Sequence, residues 1–433
     1  MNTYHDQFIM AGSTDLLSRC SASSFPFPDL PGAELASVIA APVSNFSGVA
    51  PDQLYFGHQT IQATNSTFCN ISISYTHPGQ DDLINVRAFL PISSPEWNYR
   101  FKAVGGGGWS AGMSMVSDVA MIGALGEGYA TITTDGGHGG DSGPEDWALA
   151  SEGNVNLYAL QNFASVSLRD EGVIGKSLIE AFYGQSPAYS YWSGCSTGGR
   201  QGLMLAQRYP DLYDGIAANA PAINWPSFVG AGYWHKLVQN LYLDGTEPNR
   251  CELDELTKKA IAACDELDGL IDGLISDEEA CSKVFDPQSL IGESFLCPSE
   301  NGTMTISEGA VTFAKAIWQG PRAADGSFIW YGRNKAAPLA DVLTDIVVEP
   351  IGGKWFQYFL GKSSTYDLDS LDLERFRWLV HRGVGEFDSI IGTTDPDLRE
   401  FERQGHKMIT WHGSVSYDIP VVRGGLWRFE LLT

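Results

Sequence analysis

Apolar and polar residues alternate with a period of two along residues 67–77 (TFCNISISYTH) and 85–91 (NVRAFLP), which predicts strands. A further strand is predicted at 99–104 (YRFKAV), running straight into Gly105, Gly106, Gly107 and Gly108, and another at 130–135 (ATITTD). The period lengthens to that of a helix over 173–183 (VIGKSLIEAFY), which Gly184 closes. A strand at 188–192, a glycine-rich turn, a helix at 199–208 and a strand at 215–220 follow. Strand–helix–strand alternation of this kind predicts a parallel sheet with helices on both faces. After Pro221 the alternation fades until a helix at 395–404 and a strand at 407–411. The expected organisation is an α/β domain over 1–222, an inserted lid domain over 223–390, and the continuation of the α/β domain over 391–433.

Composition narrows the function classes. Of 433 residues, 43% are hydrophobic, which supports a large core and excludes wholesale disorder. Lys and Arg number 27 against 52 Asp and Glu, so a nucleic-acid partner, which needs basic patches, is excluded. No apolar run is long enough for a membrane span, so no membrane partner is expected. The start, MNTYHDQFIM, shows neither a basic end nor an apolar stretch, so no signal peptide is visible. Seven Cys and the sequons at Asn45, Asn65, Asn70 and Asn301 nevertheless predict a secreted glycoprotein with disulfides. The odd Cys number implies one thiol without a partner.

The strongest chemical signal is Gly194-Cys195-Ser196-Thr197-Gly198, a Gly-x-Ser-x-Gly between a predicted strand and a predicted helix. A sharp turn there lifts the Ser196 hydroxyl clear of the sheet, and the small flanking residues let strand and helix approach. The alternative is an ordinary glycine-rich turn. The run Gly105–Gly108, directly after a strand, suits an oxyanion donor, with the N–H groups of Gly107 and Thr197 as the pair. A phosphate loop is the competing reading, and no Gly-Lys-Ser/Thr follows to support it.

These residues carry a resemblance. Residues 191–225 (YWSGCSTGGRQGLMLAQRYPDLYDGIAANAPAINW) resemble the tannase and feruloyl esterase family. So do VGGGGW, TDGGH at 134–138, CDELDGLIDG at 264–273 and DLREFERQGHKMITWHG at 397–413. The resemblance implies an α/β-hydrolase fold with a large inserted lid and a calcium site. It also implies hydrolysis of galloyl or hydroxycinnamoyl esters, free or polysaccharide-linked, through an acyl-enzyme on Ser196.

In that family the triad runs Ser, Asp, His, and the Cys before the Ser bonds to a Cys directly after the His. Here Ser416 stands where the Asp is expected, and Asp418, two residues on, is the candidate acid; a solvated loop carboxylate is the other reading. No His follows Asp418, so the expectation is a C-terminally truncated member with Cys195 unpaired. Losing the base lowers turnover by about a millionfold, while oxyanion donors and binding retain roughly a thousandfold over water, so impaired catalysis is expected. A catalytically inactive member that binds calcium and phenolic esters is the alternative. His412 is expected to be structural, His138 a pocket residue and His235 a packing or surface residue.

The resemblance also assigns calcium to Asp265, Asp268 and Asp272 with the carbonyls of Leu270 and Leu274, a donor set of hard oxygens. Cys264 and Cys281 bracket that loop and are expected to bond, as are Cys20 and Cys69 from the family pattern; Cys251 and Cys297 are the remaining pair. The Trp residues at 225, 234, 318, 330, 355 and 378 could wall a phenolic pocket, although core packing is expected for most.

Overall fold

The computed structural model describes residues 13–140, 143–344 and 348–413. Two compact units form. The first comprises residues up to Trp147 with Asn156–Pro221 and Asp397–Thr410; the second is built chiefly from Ala222–Pro396.

The first unit is organised by an eight-stranded sheet. Its strands are β1 (Glu34–Ala50), β2 (Ile61–Thr76), β3 (Ile84–Ser93), β4 (Arg100–Val104), β5 (Ala130–Thr134), β6 (Tyr189–Cys195), β7 (Gly215–Asn219) and β8 (Lys407–Trp411), in the order β1-β2-β3-β5-β4-β6-β7-β8. The β5-β4-β6-β7 stretch is parallel, whereas β1, β2, β3 and β5 pair antiparallel. The expected all-parallel sheet is therefore corrected to a mixed one. The cause lies in the connections: β1, β2 and β3 follow one another without a helix, and short connections can only return antiparallel.

Helices α1 (Met115–Gly126), α2 (Ser167–Tyr183) and α3 (Thr197–Arg208) pack on this sheet. Adjacent residues on β4 face opposite ways. Phe101 meets α2, where a Cβ on Gly175 would fall 2.4 Å from its ring. Lys102 points to the other face, its Nζ 2.8 Å from Glu127 and 2.9 Å from Tyr55, beside which α1 packs through Gly123. Trp192, paired across the sheet with Ala103, shares the Phe101 face and lies against Gly202 of α3. Helices thus cover both faces, as expected, and the arrangement is that of the α/β-hydrolase fold. Large side chains such as Trp192, Phe101, Phe163 and Phe182 are fully buried, each worth roughly 1.5–3 kcal/mol of hydrophobic stabilisation.

One local expectation needs correction. The helix expected at 395–404 spans only Arg399–Arg403, because the Asp397 carboxylate accepts from Arg399 N–H and turns the chain before that point. The strand β1 is seventeen residues long, lies at the sheet edge and is solvated along most of its length, so it lacks the alternation that reveals its neighbours.

The second unit is mainly helical, with Trp225–Gly232, Trp234–Tyr242, Arg250–Cys264, Glu308–Gln319 and Leu373–Ile391, and a hairpin of Ser294–Cys297 with Gly302–Thr305. Side chains cap several helix starts: Asn249 accepts from Cys251 N–H, Ser307 from Ala310 N–H and Asp372 from Arg375 N–H. Disulfides link Cys251 to Cys297 and Cys264 to Cys281 here, and Cys20 to Cys69 in the first unit. Trp225, Trp234, Trp318, Trp330 and Trp355 are buried, while Trp378 lies on the surface beneath Arg375 and Arg382. Among the described residues no helix is long and apolar enough to cross a membrane.

Candidate active site

Strand β6 ends at Cys195 and α3 begins at Thr197, so one residue makes the whole turn. That residue, Ser196, sits at φ 57° and ψ −114°, outside the regions L-residues favour. The bend survives because its neighbours leave no alternative. A Cβ on Gly194 would lie 2.5 Å from the carbonyl carbon of Gly198, and one on Gly199 would lie 2.5 Å from the carbonyl oxygen of Asn219. Ser196 N–H donates to that same Asn219 carbonyl at 3.1 Å, pinning the turn to β7. This is the strand–turn–helix context that a nucleophile elbow requires.

The glycine run lies beside the elbow and is clasped to it on both sides. Gly198 N–H donates to Gly106 O at 3.1 Å, and Thr197 Oγ1 donates to Gly108 O at 2.7 Å. Gly105 N–H is taken by Ser193 O and Gly106 N–H by Gln201 Oε1. The N–H groups of Gly107 and Thr197 are different: neither donates to any group among the described residues. Two unsatisfied donors thus sit on adjacent, mutually bonded segments next to a raised hydroxyl. Such an arrangement can hold the oxygen of a tetrahedral adduct.

Residues under the elbow escaped sequence reasoning. Gln201 bridges the two segments, accepting from Gly106 N–H and donating to Ala111 O at 2.8 Å. Arg200 is fully buried and donates to Ala164 O and Phe163 O, carbonyls of a π-helical turn at Asn162–Val166. Burial, and secondarily Arg208, draws the Arg200 guanidinium down to about 9. Ser117 Oγ donates to Gly105 O. The available signal was a pair of long polar residues, Arg200 and Gln201, among the small and apolar residues of the helix's first three turns.

Five of the described histidines are placed by burial or by neighbouring groups. His138 is buried against Trp147 and Phe163, with Nε2 3.0 Å from Ala159 O, and burial lowers its pKa to about 4. His77 is held between Asp82 at 2.7 Å and Asp170 at 3.2 Å. His406 Nδ1 lies 2.8 Å from Pro210 O. His235 is buried in the second unit, where burial takes it down to about 3. His412 Nδ1 lies 3.0 Å from Gly413 O. Ser196 Oγ makes no hydrogen bond among the described residues, and Asp418 and Ser416 lie outside them. Cys195 is an unbonded thiol, pushed up to about 11 by burial.

In the second unit the acidic loop is wound into Asx-type turns. Asp265 accepts from Asp272 and Gly273 N–H, Asp268 from Leu270 and Ser276 N–H, and Asp272 from Leu274 N–H. The Leu270 and Ser276 donors hold the Asp268 carboxyl below its ordinary range. Gly269 and Gly273 take positive φ, which lets the loop turn twice within a few residues. The donors are the hard oxygens calcium selects, yet among the described residues no three acidic, His or Cys side chains converge closely enough to hold a metal ion.

Comparison with known proteins gives a consistent result. The family model described as tannase and feruloyl esterase matches residues 69–430. A protein of Arthroderma benhamiae named "Probable feruloyl esterase" is 36% identical, over 94% of this chain and 74% of its own length. A protein of Aspergillus oryzae named "Tannase" is 28% identical, over 86% of this chain and 70% of its own. The solved tannin acyl hydrolase from Aspergillus niger superposes with a TM-score of 0.80 at 27% identity, covering 95% of this chain and 76% of that one.

Proposed function

The chain belongs to the tannase and feruloyl esterase family, and from that premise we propose that it attacks esters of aromatic acids through Ser196. It is a carboxylic ester hydrolase by family and fold; the residue-level chemistry is the proposal. Ser196 Oγ adds to the ester carbonyl carbon, and the carbonyl electron pair moves onto oxygen. The N–H groups of Gly107 and Thr197 take that oxyanion. Collapse breaks the bond to the alcohol oxygen and leaves an acyl group on Ser196. Water then adds to the same carbonyl, releasing the acid and restoring the hydroxyl. The proton leaving Oγ passes to a general base and then to the departing alcohol.

The observation that carries this reading is the coincidence of the strained Ser196 turn with two unused N–H donors clasped beside it. Substituted methyl esters of ferulate and gallate, and a fluorophosphonate probe, test it. Labelling of the parent chain and none of Ser196→Ala is expected; labelling that persists in Ser196→Ala would overturn the assignment.

One observation favours a second reading. Ser196 Oγ has no imidazole partner among the described residues. On those residues alone we infer slow turnover, with nucleophile and oxyanion donors but no base, and binding of phenolic esters without ordinary hydrolysis. Ester turnover at the rates usual for enzymes, about 1–1000 per second, would exclude it. Asp418 remains the proposed acid.

Calcium at Asp265, Asp268 and Asp272 with the carbonyls of Leu270 and Leu274 is likewise proposed. The hard-oxygen donor set supports it, as does closure of the loop by Cys264–Cys281. To hold the ion, the three carboxylates would have to turn away from the N–H groups that now donate to them and converge. A melting temperature that is identical in calcium and in chelator would remove it. Secretion is proposed on the three disulfides. Glycosylation is proposed at Asn45, Asn65 and Asn301, all exposed with left-handed backbone, the first two at register shifts of β1 and β2 and Asn301 in a turn; Asn70 is only half-exposed within β2.

A further inference from the structure

The second unit contains a cleft of about 960 Å³, lined entirely by residues between Ile275 and Lys335. That volume is at the upper end of the range for small-molecule sites, roughly 300–1,000 Å³. Its wall combines aromatic side chains, Trp318 and Tyr331 among them, with four cations, including Arg322, and three carboxylates, Glu278, Glu279 and Asp286. Four cations against three carboxylates give the wall a balance unlike that of the chain, whose net charge is -25.

Two groups in the wall are under-used. Arg322 Nη1 donates to the carbonyls of Pro321 at 3.0 Å and Trp330 at 2.7 Å, and its guanidinium lies 4.9 Å from the Phe328 ring centre. Those contacts fix its orientation but supply no negative charge. Among the described residues no carboxylate pairs with Arg322, whereas Lys335 has Glu278 at 2.8 Å and Lys315 has Asp286 at 3.6 Å. Trp318 is the second. Its side chain is nine-tenths buried, it lines the cleft, and its indole N–H has no acceptor among the described residues. A buried donor without an acceptor is costly unless water or a ligand supplies one. An oriented, uncompensated guanidinium suits a carboxylate, which it can engage with parallel N–H donors. Aromatic walls suit a flat ring.

We propose that this cleft binds an aromatic carboxylate anion. The carboxylate sits on Arg322, the ring lies against the aromatic wall, and an oxygen of the ligand accepts from Trp318 N–H. The choice of this class over other anions rests on the proposed hydrolysis, which releases such acids; the binding itself needs no turnover. The consequence is a second site for the product acid, built wholly within the second unit.

The test is calorimetric titration of ferulate and of methyl ferulate into the full Ser196→Ala chain, so that the ester is not consumed. Saturable binding of the acid is expected, with the uncharged ester about tenfold or more weaker. Arg322→Gln is expected to weaken ferulate binding by about tenfold, and Trp318→Phe, which keeps a ring and removes the donor, by several-fold. Ferulate affinity unchanged by both substitutions, or ester binding that the two substitutions weaken as much as they weaken acid binding, overturns the proposal. Should Arg322→Gln fail to fold, the acid–ester contrast and Trp318→Phe decide the matter on folded protein. Fluorophosphonate labelling of the parent chain is read separately. Labelling without ferulate binding removes only the cleft; ferulate binding without labelling removes only the Ser196 assignment.

Discussion

Replacing Gly194 by Ala tests whether backbone contact at the elbow is as tight as the geometry requires. The added Cβ would stand 2.5 Å from the carbonyl carbon of Gly198, 2.6 Å from its oxygen and 2.7 Å from its Cα. Ordinary contact begins near 3.4 Å, so β6 and α3 must part by about 0.9 Å. All three obstacles are backbone, so no side chain can swing aside. The movement falls on the Gly198 N–H bond to Gly106 O and on the Trp192 Nε1 bond to Gly198 O, now 3.1 and 2.9 Å. Overpacking costs about 1–3 kcal/mol and a broken buried hydrogen bond a similar amount, giving about 2–6 kcal/mol together. That is a large share of a typical domain stability of about 5–15 kcal/mol. Urea unfolding reads the stability, and the rate of fluorophosphonate labelling reads the placement of the hydroxyl. The matched control is Gly107→Ala, where a Cβ meets nothing within 4 Å and the change should stay within about 0.5 kcal/mol. A Gly194→Ala chain as stable as this control, labelled at the parent rate, would refute the steric account.

Further outcomes are expected. His138 has its pKa lowered to about 4 by burial, so it favours folding while neutral. Its contribution, up to about 3 kcal/mol, is complete above the unfolded value of 6.5 and disappears as pH falls towards 4; denaturant midpoints across that window should be flatter in His138→Gln. Glu171 behaves oppositely: it is fully buried, both carboxyl oxygens lack partners among the described residues, and burial raises its pKa well above 4.5. Stability from this group is complete below 4.5 and is lost as pH rises towards the folded value, so Glu171→Gln should gain on the parent at pH 8 relative to pH 4. Thiol titration of the unfolded, unreduced chain should find a single reactive group, which in the folded chain reacts slowly at pH 8 because Cys195 is pushed up to about 11. A second rapidly titrating thiol would contradict the disulfide pattern.

The sheet was legible wherever a strand is buried on at least one side. Residues 67–77 and 85–91 alternate because β2 and β3 each bury one face. Strand β1 carries Ala, Ser, Pro and Asn on solvated positions, and no hydrophobic period marks it. The elbow was legible because Gly194, Ser196 and Gly198 are forced by local sterics, which act between neighbours in sequence. Lys102, Glu171 and Arg200 were not, since a charged residue reads as surface until tertiary contacts enclose it. The mixed pairing of the sheet also depends on which strands meet, and the helix-free run from β1 to β3 was its only trace in the chain.

The conformation of Ser196 has a corollary for how such a protein can change over time. A glycine would occupy φ 57° at far less energetic penalty than a serine does. Ser196→Gly should therefore yield a chemically inert chain that melts higher than its parent. Once selection for activity is relaxed, mutation at this one codon is favoured by stability itself, and inactive descendants of the fold can outlast working ones.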